Sequence, residues 1–165
     1  MNGKTCCVTG HRTIPASQTA FVKQTLRAEI ALAVAEGFTH FLSGFAEGAD
    51  LLFAEIAAEF CAERAEVCLE AALPYRGRLN RLQKQEETRR LLQSCGKITV
   101  VSEDYAPNVY HKRNWYMVER SERVLAVYDG RQTGGTAATI RMAEKKGAEL
   151  RKIFIGEIKK EESCR

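Results

Sequence analysis

The sequence lacks the long apolar runs of membrane proteins and of secretory signal peptides. Lys4 precedes only the short apolar run Cys6–Val8, and no run approaches the roughly 20 residues that span a bilayer. A dense basic stripe is also missing, since 25 Lys and Arg face 21 Asp and Glu for a net charge of +4. We therefore expect a soluble, cytoplasmic protein with no membrane partner, for which an anionic small molecule is a better ligand than nucleic acid.

The sequence also lacks the spacing patterns of several common catalytic sites. None of its six cysteines forms a CxxC pair, and its three histidines share no helical spacing, so we expect no metal site and reduced core thiols. No GxSxG motif argues for acyl transfer, and no Walker A motif is present. The sequence also lacks GxGxxG and an acidic residue at the end of the second strand, which argues against an ordinary NAD dehydrogenase.

What the sequence does contain is a regular alternation of apolar strands and amphipathic helices within 165 residues, the size of one domain. The predicted strands are Thr5–Thr9, His40–Ser43, Glu66–Leu73, Lys97–Val101, Arg123–Tyr128 and Lys152–Ile155. Helices are predicted from Pro15 to Gly37, from Asp50 to Glu63, and over Leu79–Ser94, Val109–Glu119 and Thr136–Lys146. Continuously apolar strands joined by helices predict an α/β, Rossmann-like, doubly wound domain with a mainly parallel sheet of about six strands, flanked by helices. We expect residues 1–165 to form this single domain, with a charged tail from about Lys159.

Three glycine-bearing turns follow strands and precede helices: turn 1 (Thr9–Arg12), turn 2 (Ser43–Asp50) and turn 3 (Asp129–Thr136). Because the carboxyl ends of parallel strands meet at one edge of a sheet, we expect the three turns to lie together. Backbone N–H groups point outward at such turns, and a helix dipole favours an anion at its N-terminus. The sequence therefore predicts a phosphate-binding edge.

Each turn offers side chains for this role. Arg12 can bind a phosphate bidentately, and Asp50 either caps its helix or accepts hydrogen bonds from a ribose. Gly135 and Thr136 suit a phosphate cradle, or else a plain helix start. Arg113 and Asn114, on the helix before the fifth strand, are predicted to face the ligand. The full set of predicted ligand-binding residues is Thr9, Gly10, Arg12, Gly44, Gly48, Asp50, Arg113, Asn114, Asp129, Gly134, Gly135 and Thr136.

The ordered segments VTGHR, LSGFAEGAD, LPY, KRNWYMVERSERVLAVYDG and TGGT resemble the SLOG superfamily over about Lys4 to Gly156. That superfamily joins the Rossmann domain of DNA-processing protein A, the LOG cytokinin-activating hydrolases and the YpsA-like proteins, a family of unknown function that this chain resembles most. The resemblance implies a Rossmann-like fold that binds a nucleotide or a nucleotide-derived ligand related to ADP-ribose or NAD. Homo-oligomers are common in the superfamily, so the resemblance also implies one here.

The sequence departs from the LOG hydrolases at one place. Their PGGxGTxxE motif carries a glutamate that works with an arginine, and Arg113 occupies the position of that arginine. Thr136, however, is followed by Ala137, Ala138 and Thr139, so no carboxylate takes the glutamate's place. Cleavage of an N-glycosidic bond needs such a carboxylate. Arg113 and Asp50 are the candidate catalytic residues, with Asp129 as another available carboxylate.

We therefore expect a binding or sensing module for a nucleotide-type ligand, with no other cofactor. One alternative is a LOG-like phosphoribohydrolase acting on nucleoside monophosphates. A second is a single-stranded DNA-binding protein, and a third is an oligomerising scaffold with vestigial turns. The DNA alternative requires a basic groove with aromatic side chains. The residues available for it are Arg76, Arg78, Arg81, Lys112, Arg113 and Trp115.

Overall fold

The fold is a six-stranded sheet with helices on both faces. The structure is a computed structural model that describes residues 3–156. Its strands are β1 Lys4–Gly10, β2 Phe38–Ser43, β3 Cys68–Tyr75, β4 Lys97–Ser102, β5 Arg123–Tyr128 and β6 Glu149–Phe154. Its helices are α1 Thr19–Ala35, α2 Ala49–Glu63, α3 Arg76–Lys84, α4 Glu86–Gln93, α5 Val109–Glu119 and α6 Gly135–Lys146, with a 3-10 turn at Ala16–Gln18 before α1.

All neighbouring strands pair in parallel, in the order β4-β3-β2-β1-β5-β6. After β1 the chain adds β2, β3 and β4 on one side, then crosses over to add β5 and β6 on the other. The strand order therefore reverses between β1 and β5, and this switch point is where open α/β sheets bind ligands. The predicted Rossmann-like, doubly wound fold with about six parallel strands is confirmed.

The core is split into two layers by the sheet. On one face, α1 to α4 bury residues such as Leu26, Phe53 and Leu82 against the strands. On the other face, Met117 and Val118 of α5 and Ala143 of α6 pack against Cys7 and Leu42. The central strands β1 and β5 are consequently buried on both faces, as their unbroken apolar runs predict.

The single helix predicted over Leu79–Ser94 is wrong, because two helices, α3 and α4, meet at Gln85. Gln85 has an extended backbone (φ −99°, ψ 131°), and the Thr88 hydroxyl donates a hydrogen bond to the Leu82 carbonyl at the end of α3. With this break, Leu82 and Leu92 are both buried.

Strand boundaries differ from the prediction by up to three residues, and two of these differences have a clear physical reason. Pro74, predicted to end the third strand, lies inside β3, where pairing with β2 has already stopped at Ala71 and no N–H is needed on that side. β6 runs from Glu149 rather than Lys152, because it pairs with the whole length of β5. The predicted tail from Lys159 lies outside the described residues. Within residues 3–156, no helix has the length and apolar character needed to cross a bilayer.

Candidate functional site

A cavity of about 300 Å³ lies at the switch point, beyond the carboxyl ends of β1 and β5. Its walls come from turn 1, turn 2, turn 3 and the first half of α5. The sequence predicts that these turns share one edge of the sheet, and the parallel topology places them there.

Turn 3 forms the side of the cavity where α6 begins. Gly134 precedes the helix with φ 97°, a left-handed conformation that favours glycine, and no side chain caps the helix N-terminus. Gly134, Gly135 and Thr136 all line the cavity. The first N–H groups of a helix have no partner within the helix, and the helix dipole adds positive potential there. This end of α6 is therefore suited to an anion.

Arg113 and Asp50 are two buried side chains of opposite charge in the cavity wall, and their charged groups do not contact each other within 4 Å. The Arg113 guanidinium donates hydrogen bonds from Nη1 to the Gly44 carbonyl (2.8 Å) and the Ala72 carbonyl (3.2 Å), and from Nε to Asn114 Oδ1 (2.9 Å). Asp50 accepts a hydrogen bond from the Ala46 N–H at 3.3 Å. Both side chains are at least 95% buried, since their exposed fractions are 4% and 5%.

This burial changes the protonation chemistry of both groups. Burial raises the pKa of the Asp50 carboxyl to about 6, although Arg113 and the Ala46 N–H lower it. Burial likewise lowers the pKa of the Arg113 guanidinium, although Asp50 raises it. A carboxyl group with a pKa near 6 in a cavity can exchange a proton near neutral pH, which an exposed aspartate rarely does.

His11 links turn 1 to turn 3 through three hydrogen-bonding contacts of its ring. Its Nε2 lies 3.1 Å from Asp129 Oδ1 and 3.1 Å from the Asp129 backbone nitrogen, and its Nδ1 lies 3.3 Å from Thr136 Oγ1. Asp129 also holds the Arg131 side chain, and these hydrogen bonds lower the pKa of the Asp129 carboxyl. The sequence shows no Ser-His-Asp arrangement, and the structure has a Thr136–His11–Asp129 row that fixes the two turns together.

The structure brings most of the predicted ligand-binding residues into this one cavity. Those lining it are Thr9, Gly10, Arg12, Asp50, Arg113, Asn114, Gly134, Gly135 and Thr136. Gly44 lies in an adjoining cleft, Gly48 lies against the His11 and Arg12 carbonyls, and Asp129 lies behind His11. These three residues act on the shape of the cavity and do not line it.

The sequence reasoning did not include Tyr110, Arg131 or Thr133 among the binding residues, yet all three line the cavity. A signal for Tyr110 was present, because it lies three residues before Arg113 and so shares its face of α5. Its ring stacks within 5.3 Å of the Arg12 guanidinium and 5.7 Å of that of Arg113. Within residues 3–156, no group of three or more His, Cys, Asp or Glu side chains is arranged to hold a metal ion.

A parallel, doubly wound domain with a polar cavity at its switch point defines the class of Rossmann-like domains. Within that class, this chain belongs to the YspA SLOG family, whose model matches residues 6–161. This match confirms the resemblance to the YpsA-like branch of the SLOG superfamily that the sequence motifs indicate. No curated protein matches the chain.

Two solved structures share the fold at low sequence identity. DNA processing protein A from Helicobacter pylori, described for its single-stranded DNA binding mode, is 18% identical with a TM-score of 0.63. The match covers 91% of this chain but 65% of that one, so this chain spans about two thirds of its length. TM1055, a structural genomics target, is 16% identical with a TM-score of 0.54, covering 89% of this chain and 72% of that one.

Proposed function

We propose that this protein binds or senses a nucleotide or a nucleotide-derived ligand, with a phosphate at the N-terminus of α6. The observation that carries the proposal is the uncapped start of α6, which opens into the switch-point cavity beside Arg12 and Arg113. Free N–H groups, a helix dipole and two guanidinium groups together favour a phosphate. A homo-oligomer and a cytoplasmic location remain predictions from the sequence.

The cavity also has room and polar groups for more than a phosphate. Its volume of about 300 Å³ matches the lower end of small-molecule sites. The Asp50 carboxyl lines the cavity and can form a hydrogen bond with a ribose hydroxyl in either protonation state, and the Tyr110 ring supplies a flat apolar surface. These groups support a ligand that carries a sugar and a base as well as a phosphate.

A thermal-shift screen over nucleotides, NAD fragments and nucleoside monophosphates tests the proposal, with Gly135→Trp as the blocking variant. A Cβ added at Gly135, which lines the cavity, meets no atom within 4 Å, so we expect the indole to occupy cavity space without disturbing the fold. For the wild type, a ligand at one hundred times its dissociation constant adds about 2.7 kcal/mol to the free energy of unfolding. We expect that gain to vanish in Gly135→Trp.

Glu144→Trp is the matched control, because it places the same side chain at an exposed position nearer the other end of α6. It should respond to the ligand as the wild type does. The proposal fails if no nucleotide stabilises the wild type, or if Gly135→Trp and Glu144→Trp respond equally.

The buried carboxyl of Asp50 favours a second candidate function, hydrolysis of a nucleoside monophosphate. Asp50 lines the cavity with Arg113, has a pKa raised to about 6, and is a carboxylate available to replace the missing glutamate. Release of free base from a nucleoside monophosphate, abolished in Asp50→Asn, would establish this activity. Without base release, the binding or sensing function stands alone.

A cluster of tyrosines beside arginines favours a third candidate, single-stranded DNA binding. The Tyr75 ring lies 5.3 Å from that of Tyr105 and 6.4 Å from that of Tyr110, and Tyr105 is 64% exposed. Stacking on aromatic rings beside cations is how sequence-tolerant single-strand binding works. Trp115 does not line this region, and Arg76 pairs with Glu103. An affinity for oligonucleotide that falls steeply with salt would support this candidate.

A further inference from the structure

A second opening adjoins the switch-point cavity and is lined by arginines. This arginine cleft has a volume of about 160 Å³ and extends toward α3. It shares Arg12, Ala46, Tyr110 and Arg113 with the cavity, so the two spaces are neighbours with a common wall. A ligand seated at α6 therefore lies next to the cleft, with Tyr110 in the wall that the two spaces share.

The arginines of the cleft differ from most others in the described residues. Across 3–156, the arginines with a carboxylate within 4 Å are Arg27, Arg64, Arg76, Arg90, Arg120, Arg123, Arg131 and Arg151. Arginines of that range without one are Arg12, Arg78, Arg81, Arg89, Arg113 and Arg141. Four of these six line the cleft: Arg12, Arg78, Arg81 and Arg113. Unpaired cations are therefore concentrated at one place.

The groups that accept hydrogen bonds from Arg78, Arg81 and Arg113 are neutral. The buried Asp50 carboxyl attracts Arg12, Arg78 and Arg113 without contacting them within 4 Å. Arg78 donates a hydrogen bond to the Phe45 carbonyl at 3.0 Å, and Arg81 donates one to the Tyr75 hydroxyl. Glu47 is the acidic residue that lines the cleft, so positive charge exceeds negative charge there. Four guanidinium groups brought together repel one another, and an anion between them relieves the repulsion while accepting charge-assisted hydrogen bonds.

We propose that the ligand carries two anionic groups, one seated at the N-terminus of α6 and the other in the arginine cleft. This inference rests on the proposed nucleotide-binding function and narrows it. A nucleoside diphosphate, or a dinucleotide joined through a diphosphate, has the required chemistry. A nucleoside monophosphate leaves the cleft without its anion.

Isothermal titration calorimetry with AMP and ADP at fixed ionic strength tests this inference. We expect ADP to bind the wild type at least about tenfold more tightly than AMP, because the second phosphate gains charge-assisted hydrogen bonds. Arg81→Gln should reduce the ADP affinity about tenfold and leave the AMP affinity unchanged. Pyrophosphate and inorganic phosphate provide the same comparison without a base.

Arg89→Gln is the matched control, since Arg89 is also an exposed, unpaired arginine of the described residues but lies on α4 outside the cleft. Both variants should keep the melting temperature of the unliganded wild type. The inference is overturned if ADP and AMP bind equally, or if Arg81→Gln and Arg89→Gln behave alike. If AMP binds as tightly as ADP, the proposed nucleotide-binding function stands and only the two-anion inference fails. If no nucleotide binds, both the proposed function and this inference fail. A short oligothymidylate that binds more tightly than ADP, and loses this affinity in Arg81→Gln, would assign the cleft to single-stranded DNA instead.

Discussion

Asp50 is a cavity side chain whose pKa is set by its buried surroundings. Its carboxyl is buried beside the Arg113 guanidinium, and burial raises its pKa from 3.8 to about 6. When ionised, it repels a neighbouring phosphate, and when protonated it can donate a hydrogen bond. At the scale of one residue, protonation of Asp50 therefore links ligand binding and stability to pH.

The sign of the effect on stability follows from the raised pKa. The folded state holds the Asp50 proton more tightly than the unfolded state, so this contribution is full below about pH 4 and lost as the pH rises through about 6. We expect the free energy of unfolding of the wild type, relative to Asp50→Asn, to fall by about 2 kcal/mol between pH 4 and pH 7. Denaturant unfolding of both proteins across this range measures it. A constant or rising difference would contradict the assignment.

The same group predicts the pH dependence of binding. Wild-type affinity for a nucleotide should increase as the pH falls through about 6, because the repelling carboxylate is removed. Asp50→Asn, titrated with the same ligand, corrects for the protonation of the phosphate itself and should lack this component. Identical pH profiles for the two proteins would show that Asp50 does not face the ligand.

At the level of elements, the turns pack closely at two glycines, Gly44 and Gly10. A side chain added at these two positions would meet different kinds of atoms. A Cβ added at Gly44 would lie 2.6 Å from Arg113 Nη1 and 2.8 Å from Asp50 Oδ2, which are side-chain atoms. A Cβ added at Gly10 would lie 2.3 Å from the Ala49 Cβ and 2.9 Å from the Val127 carbonyl oxygen. The absence of a side chain at Gly44 therefore leaves room for the Arg113 and Asp50 side chains. At Gly10 it allows α2 to pack closely against β1 and β5.

These neighbours predict different outcomes for two alanine substitutions. Gly44→Ala should displace the Arg113 side chain and weaken nucleotide binding about tenfold or more, since charge-assisted hydrogen bonds are lost or misdirected. Its loss of stability should be about 1–2 kcal/mol, because a flexible side chain yields. Gly10→Ala should cost about 3 kcal/mol or more, because backbone and core atoms have to move. Calorimetry and denaturant unfolding measure both properties, and equal stability losses would contradict this distinction.

At the scale of the whole molecule, the alternation of apolar strands and amphipathic helices was sufficient to predict the sheet and the edge where the turns meet. The break at Gln85 was not predictable, because no Pro or Gly marks it and the spacing of Leu82 and Leu92 also fits one face of a continuous helix. The arginine cleft could not be predicted from the sequence either. Arg76 pairs with Glu103 across β3 and β4, whereas Arg81 has no carboxylate partner among the described residues, and only tertiary contacts separate the two.

The proposed function depends most on a ligand phosphate at the N-terminus of α6. A crystal structure of the wild type with the nucleotide that stabilises it most tests this placement. We expect a phosphate oxygen within about 3 Å of the backbone nitrogen of Gly135 or Thr136, with Arg12 or Arg113 on the same ligand. A nucleotide whose phosphates lie elsewhere, with only water at the start of α6, would contradict it.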